Sequence, residues 1–222
     1  GQTIREFFYN SSDPTVGLIV VTTGAGTVVS TVSSHSCVLL ADDTIKCWGA
    51  NDWGQIGNGA GGAGQTVTSR FSQPGTYKAV GTGIAHTCAL EKNVGWVRCW
   101  GRNATGGADG TDTVQGTPVE FGTAGASLFV GPMHNAVIQG TTLYLFGDND
   151  DLEVRPTPGD VEAPLAYPLD PGDVPVQAAL GMGHTCIRTA AGFVKCWGRN
   201  NLGQLGTGGT SAPSPSPVTT LL

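Results

Sequence analysis

The sequence predicts an all-β protein: a propeller-like array of about four repeats, each near 50 residues and four strands. Three observations carry this. The four histidines, His35, His86, His134 and His184, are separated by 51, 48 and 50 residues. An aromatic-glycine pair follows each one, at Trp48-Gly49, Trp100-Gly101, Phe146-Gly147 and Trp197-Gly198, 13, 14, 12 and 13 residues downstream. Between histidine and pair the apolar residues alternate with period two, and no stretch has helical period. Self-similarity at such a period is the mark of a repeat architecture, and four short strands per unit fit a propeller blade.

The elements follow in order within each unit. An extended run precedes the histidine, as at residues 27–32 and 176–180. A hairpin comes next: Cys37 and Leu39 alternate with Val38, Ile45 and Cys47 flank Lys46, and Val97 with Cys99, Leu143 with Leu145 and Val194 with Cys196 repeat the pattern. Its turn is polar or glycine-bearing, Ala41-Asp42-Asp43-Thr44 or Ala190-Ala191-Gly192, which suits antiparallel strands. A fourth run follows a glycine-rich loop, often after proline, at Thr117-Pro118-Val119 and Ser216-Pro217-Val218. The repeats are placed around 27–75, 76–123, 124–173 and 174–222. Units one and four keep a fuller tail after the pair, Asn51 to Gly57 and Asn200 to Gly206, and the middle two have drifted there. The Pro- and Asp-rich segment 156–175 reads as a long surface loop.

Residues 1–26 stand outside the repeats as an N-terminal extended segment with two apolar runs, 3–9 and 16–22. Two roles are open to them: completing a composite closing blade with residues 218–222, or pairing as donor strands with another chain, since an unpaired strand edge invites such addition. The chain begins at Gly1 without a basic and apolar leader, which fits a removed signal segment or none.

Composition narrows the function classes. Eleven Lys and Arg against 17 Asp and Glu give a net charge of −6, the wrong sign for neutralising phosphates, so nucleic acid is not expected as a partner. Hydrophobic residues make up 39% and charged residues 13%, a balance that favours a folded chain although 35 Gly and 13 Pro make it turn-rich. The longest apolar stretch, residues 16–21, is far short of the roughly 20 residues that span a bilayer, so no membrane span is expected.

Six cysteines occupy three units, as Cys37 and Cys47, Cys88 and Cys99, Cys186 and Cys196. Unit three has Ala136 and Leu145 at the equivalent places and lacks both members of the pair together. That pattern favours a disulfide within each unit, whose opposed strands bring Cβ atoms to bonding distance. Buried free thiols and zinc held with the nearby histidines are the alternatives; nine or ten residues intervene between the cysteines, unlike the short spacing of zinc sites. Disulfides imply an oxidising, extracellular compartment.

Nothing reads as a reaction centre. The histidines sit at repeat positions and are expected to hold a strand-to-strand corner by a ring hydrogen bond, with a ring of imidazoles around a central axis as the other reading. No nucleophile elbow or phosphate loop occurs, and the run Gly59 to Gly64 lacks the Lys-Ser/Thr ending. The acidic group Asp148, Asp150, Asp151 and Glu153 lacks the spacing of a helix-loop-helix calcium site and reads as a solvated loop. No catalytic residue, metal site or cofactor is therefore assigned. Asn10 and Asn103 satisfy the glycan acceptor rule. Trp53, Arg102 and Arg199 lie on loops after the aromatic-glycine pairs and are residue types enriched at binding hot spots, so they are the candidate partner contacts.

The run Gly-x-x-His-Thr-Cys, a hairpin, then Val-x-Cys-Trp-Gly-x-Asn-x-x-Gly-Gln-Leu-Gly resembles the repeat of the regulator of chromosome condensation family. Residues 181–206 match it nearly throughout, 83–103 and 35–57 match well, and 131–147 lack the cysteines and have Phe146 for Trp. The resemblance implies a β-propeller, usually of seven blades, used as a rigid platform for protein partners; some members are exchange factors for a small nuclear GTPase, and a bacterial secreted relative inhibits β-lactamase. Fold alone carries neither activity over. The chain departs from the pattern in showing only four units, too few to close seven blades, and in having Val32 where the others have Gly83, Gly131 and Gly181. The expectation is an extracellular, disulfide-stapled, non-enzymatic module that binds a protein or glycan. The other is a structural subunit that joins copies of itself through its N-terminal strand.

Overall fold

In the computed structural model of the chain, the residues described are 5–10, 13–20, 26–59, 61–62, 66–73, 75–102, 119–120 and 126–221, with side chains at 28–59, 61–62, 75–102 and 126–221. Every regular element among them is a strand. Blade one contains β3 (Gly26–Thr31), β4 (His35–Leu40), β5 (Ile45–Ala50) and β6 (Thr66–Gln73), preceded in the chain by β1 (Arg5–Asn10) and β2 (Asp13–Val20). Blade two contains β7 (Tyr77–Thr82), β8 (His86–Glu91), β9 (Trp96–Gly101) and β10 (Val119–Glu120). Blade three contains β11 (Ser127–Val130), β12 (His134–Gln139), β13 (Thr142–Gly147) and β14 (Val161–Ala166), and blade four β15 (Pro175–Leu180), β16 (His184–Thr189), β17 (Val194–Asn200) and β18 (Ser211–Thr219). Each blade is an antiparallel meander in chain order.

The hairpin turns carry one residue of positive φ each, Asp43, Gly95, Gly140 and Gly192, the backbone state that lets two strands reverse tightly. The outer strands of blades three and four carry prolines: Pro164 lies in β14 and Pro213, Pro215 and Pro217 in β18, where a missing N–H is lost from a ladder's free side. The segment 156–175 is therefore not simply a surface loop, because it contains β14, paired to β13 with Leu145 opposite Leu165. The proline content that suggested a loop is the signature of an edge strand.

The blades stack side by side in sequence order. The inner strands of each pack against the innermost strands of the next: β3 and β4 on β7, β7 and β8 on β11, β11 and β12 on β15. Burial follows from this. Strands β4, β8 and β12 are covered on both faces, so the half-buried alternation expected of them is largely lost, with Val38 and Leu39 both buried. One apolar cluster runs through blades two to four, from Leu90 and Val97 through Leu143, Leu145 and Phe146 to Ile187 and Trp197, and a second joins blades one and two through Ile45, Ile56, Val80 and Trp100. Burying such side chains contributes roughly 1.5 to 3 kcal/mol each, the main favourable term of the stack.

The N-terminal segment pairs with itself. β1 and β2 form a two-stranded antiparallel sheet, Phe7 opposite Leu18, and β18 joins β17 in its own blade with Val218 opposite Cys196. The composite closing blade is thus not formed among the described residues; residues 211–219 are already used as the fourth strand of blade four.

Candidate functional site

The repeat signature places the same atoms at every blade boundary. Each histidine opens the second strand opposite the glycine of the aromatic-glycine pair: His35 with Gly49, His86 with Gly101, His134 with Gly147, His184 with Gly198. Those glycines have φ between 97° and 118°, and a Cβ on Gly49 would lie 2.6 Å from the Ser34 carbonyl oxygen, so no other residue fits there. The glycine three residues before the histidine is required differently. A Cβ on Gly83 or Gly181 would overlap the ring of His86 or His184, so the ring lies flat on bare backbone. Unit one escapes this with an exposed Val32.

The histidine rings reach across the boundary into the next blade. His35 Nε2 lies 2.8 Å from Thr87 Oγ1, His86 Nε2 3.0 Å from Asn135 Oδ1, and His134 Nε2 2.7 Å from Thr185 Oγ1. The partner is each time the residue after the next unit's histidine. Thr87 donates its hydroxyl proton to the Gln55 carbonyl and Thr185 donates to the Glu153 carbonyl, both at 2.9 Å. A hydroxyl has one proton, so the rings must donate from Nε2. Nδ1 of His35 and His134 is correspondingly a buried atom without a partner. Burial, with the neighbouring histidines adding to it, lowers His35 to about 4 and His134 to about 3; burial also lowers His86. The rings are neutral latches. The ring hydrogen bond expected at a strand-to-strand corner is made between units, to residues some 50 positions away.

The loop after each pair completes the boundary. Asn51 Oδ1 accepts from the Ile56 N–H at 2.9 Å, and Gln55 Oε1 accepts from the Trp53 N–H at 2.9 Å. This folds the loop so that the Gln55 carbonyl points at blade two, where it takes both Thr87 and the Trp100 indole N–H. Blade four repeats the loop with Asn200, Gln204 and Leu205. So does blade three, with Asn149, Glu153 and Val154, where the Glu153 carbonyl takes Thr185 and the Trp197 indole. Unit three had looked degenerate here; the signal that survives is Gly-x-Asn, at Gly147 to Asn149. Two substitutions disguised it. Leu152 stands at φ 66° where Gly54 and Gly203 stand at 73° and 79°, and Glu153 replaces a glutamine.

Glu153 is fully buried, one oxygen accepting the Asp151 N–H at 2.8 Å and the other without a partner. Burial raises it to about 7, with the Asp148 and Asp151 charges contributing. The acidic group is therefore divided, not a uniformly solvated loop. Asp151 pairs with Arg199 at 2.5 Å, whereas Asp148, Asp150 and Asp160 gather their carboxylates within 4.8 Å of one another. Asp148 rises to about 6 through burial and then the charges of Asp150 and Asp160.

The candidate contacts fall on the same loops. Arg102 Cζ sits 4.6 Å from the centre of the Trp53 ring, so these two meet across the boundary of blades one and two. Trp53 stays 38% exposed and Arg102 is exposed. Arg199 is separate from them and reaches back to Asp151, which holds the place of Trp53 in blade three. Asn103 lies outside the described residues, and Asn10 ends β1 with its side chain outside them too. The cysteines pair within units, Cys37 with Cys47, Cys88 with Cys99 and Cys186 with Cys196, and none is free.

Residues 27–55 match the family model of the regulator of chromosome condensation (RCC1) repeat. The fold agrees along nearly the whole chain: yeast RCC1 (Prp20), solved with Kap60 bound, superposes with a TM-score of 0.77 at 18% identity over 94% of this chain and 52% of that one. Residues 27–55 thus match one RCC1 repeat, and the chain as a whole shares the RCC1 fold. Two further structures agree in fold. Human WBSCR16 gives a TM-score of 0.72 at 21% identity over 92% of this chain and 55% of the other, and the CRINKLY WD40 ectodomain of the Arabidopsis thaliana receptor kinase ACR4 gives 0.50 at 19% over 84% and 61%. The chain thus spans 52% to 61% of the length of these structures. No helix among its described residues is long and apolar enough to cross a membrane.

Proposed function

We propose that this chain is an extracellular, non-enzymatic binding module, in which disulfide-stapled blades present a recognition surface for a protein or glycan on the loops after the aromatic-glycine pairs. The observation that supports it most is the Trp53 and Arg102 pair: an exposed aromatic ring and a cation held together by two rigid blades, with little entropy left to lose on binding. The three buried histidines are used as blade latches, which leaves them unsuited to proton transfer. Three disulfides support an oxidising compartment. Yeast RCC1 was solved with a bound protein, Kap60, and the ACR4 domain is an ectodomain. Screening labelled protein against secreted-protein and glycan arrays tests the reading. Trp53→Ala and Arg102→Ala are expected to lower binding to the strongest hit by about tenfold or more without lowering Tm, and unchanged binding in both refutes the assigned surface. Arg199→Ala is the third contact to test, and expression in a eukaryotic secretory host checks Asn10 and Asn103 as glycan acceptors by mass.

A second reading, a structural subunit joined by its N-terminal strands, is favoured by the two-stranded sheet that β1 and β2 form among the described residues. A two-stranded sheet is marginal by itself and gains stability by adding to another edge. Deleting residues 1–12 should abolish assembly on this reading and leave a soluble, monomeric binder on the first.

A further inference from the structure

The boundary of blades one and two and that of blades three and four share one backbone plan. The Trp53 N–H donates to Gln55 Oε1 at 2.9 Å and the Asp151 N–H to Glu153 Oε2 at 2.8 Å, so Trp53 and Asp151 hold one place in their loops. Across the boundary the Arg102 N–H donates to the Ala85 carbonyl at 2.8 Å and the Arg199 N–H to the Gly183 carbonyl at 2.7 Å, so the two arginines also hold one place. What differs is the group that each guanidinium meets.

Between blades three and four it meets a carboxylate. Asp151 Oδ2 lies 2.5 Å from Arg199 Nη2, and the Asp151 side chain is only 16% exposed. Gly183 leaves the room for it, since a Cβ there would lie 2.5 Å from the same Oδ2. Between blades one and two Ala85 stands at the place of Gly183, its methyl group takes up that room, and an indole replaces the acid. Arg102 Cζ lies 4.6 Å from the centre of the Trp53 ring. A guanidinium meets a ring with its face and a carboxylate with its N–H edge, so the ring leaves the donors available. Among the described residues no acidic side chain pairs with Arg102 and no acceptor takes its side-chain N–H groups.

Resting on the surface put forward above, we propose that Arg102 and Trp53 recognise an acidic peptide. An Asp or Glu side chain takes the guanidinium edge from the solvent side, and an apolar neighbour in the same peptide lies against the exposed part of the indole. The molecule itself displays such an occupant: the arginine at this repeat position in blade four holds an aspartate on a polypeptide loop, with Leu152 as the next residue. Both blades are fixed by the bond of His35 to Thr87, so the pair is presented preformed.

Two probes test this on the whole chain: a displayed library of random-sequence peptides, and uronic-acid oligosaccharides as carboxylates of another source. Selected peptides should share an Asp or Glu at one position, and replacing it with Asn or Gln should weaken binding about tenfold or more. Arg102→Ala should do the same, and Arg102→Lys, which keeps the charge without the fork, should not restore it. Joining Trp53→Asp to Ala85→Gly copies the boundary of blades three and four, gives Arg102 an acid of its own, and should abolish binding with Tm undiminished. Peptides that bind as well in their amide form, or to Arg102→Ala, overturn the proposal. If they still need Trp53, the surface stands and only the acidic class falls; if they need neither residue, the surface falls with it. Selection of no peptide, or binding of the oligosaccharides alone, overturns it too.

Discussion

Exchanging the Glu153 carboxylate for an amide is a change of one atom with a large expected effect. In the fold this group titrates near 7 instead of its usual 4.5, so across that window the folded chain binds more protons and stability falls as pH rises. Glu153→Gln, the residue its sister loops use, should raise stability by about 1 to 3 kcal/mol at pH 8. The gain should shrink toward pH 4.5, and thermal melts across pH check it. Its neighbour Leu152 holds a left-handed backbone at φ 66°. Leu152→Gly should stabilise by about 1 kcal/mol, read as a shift in denaturant midpoint. The histidines act with the opposite sign. His35 and His134 are held at about 4 and about 3, whereas an unfolded histidine takes up its proton near 6.5. Below that pH the unfolded chain binds more protons, so Tm should fall steeply from pH 6.5 to 4, and His134→Gln should flatten that slope.

At the scale of elements, each disulfide closes a hairpin of separation 10 or 11 residues and should contribute about 2 to 3 kcal/mol through the unfolded chain. Reduction should therefore lower Tm in proportion to the number of bridges opened. The sequence announces these hairpins because strand pairing is local: Cys37 opposite Cys47 and His35 opposite Gly49 follow from a short turn and a period of two. The destination of the histidine rings was not legible, since Thr87 lies in another unit and only the stacking of blades brings it to His35. β14 was missed because Pro164 argues against a strand wherever ladder position is unknown. The loop of blade three was missed because Leu152 and Glu153 replace the two residues that mark it, although its hydrogen bonds survive.

Over the whole molecule, stability resides in the boundaries. Each blade alone would expose one apolar face, and the stack covers it with the next, as in other quasi-one-dimensional repeats. The proposed recognition pair, Trp53 and Arg102, lies on loops that complete one of these boundaries, so on that reading the same stacking holds it in place. The account thus stands on the coupling between neighbouring blades through the histidine latch. A double-mutant cycle on His134→Ala and Thr185→Val, scored by equilibrium unfolding, measures that coupling most directly. The latch predicts a coupling energy of about 1 kcal/mol or more between residues 51 apart in sequence; strictly additive effects would contradict it.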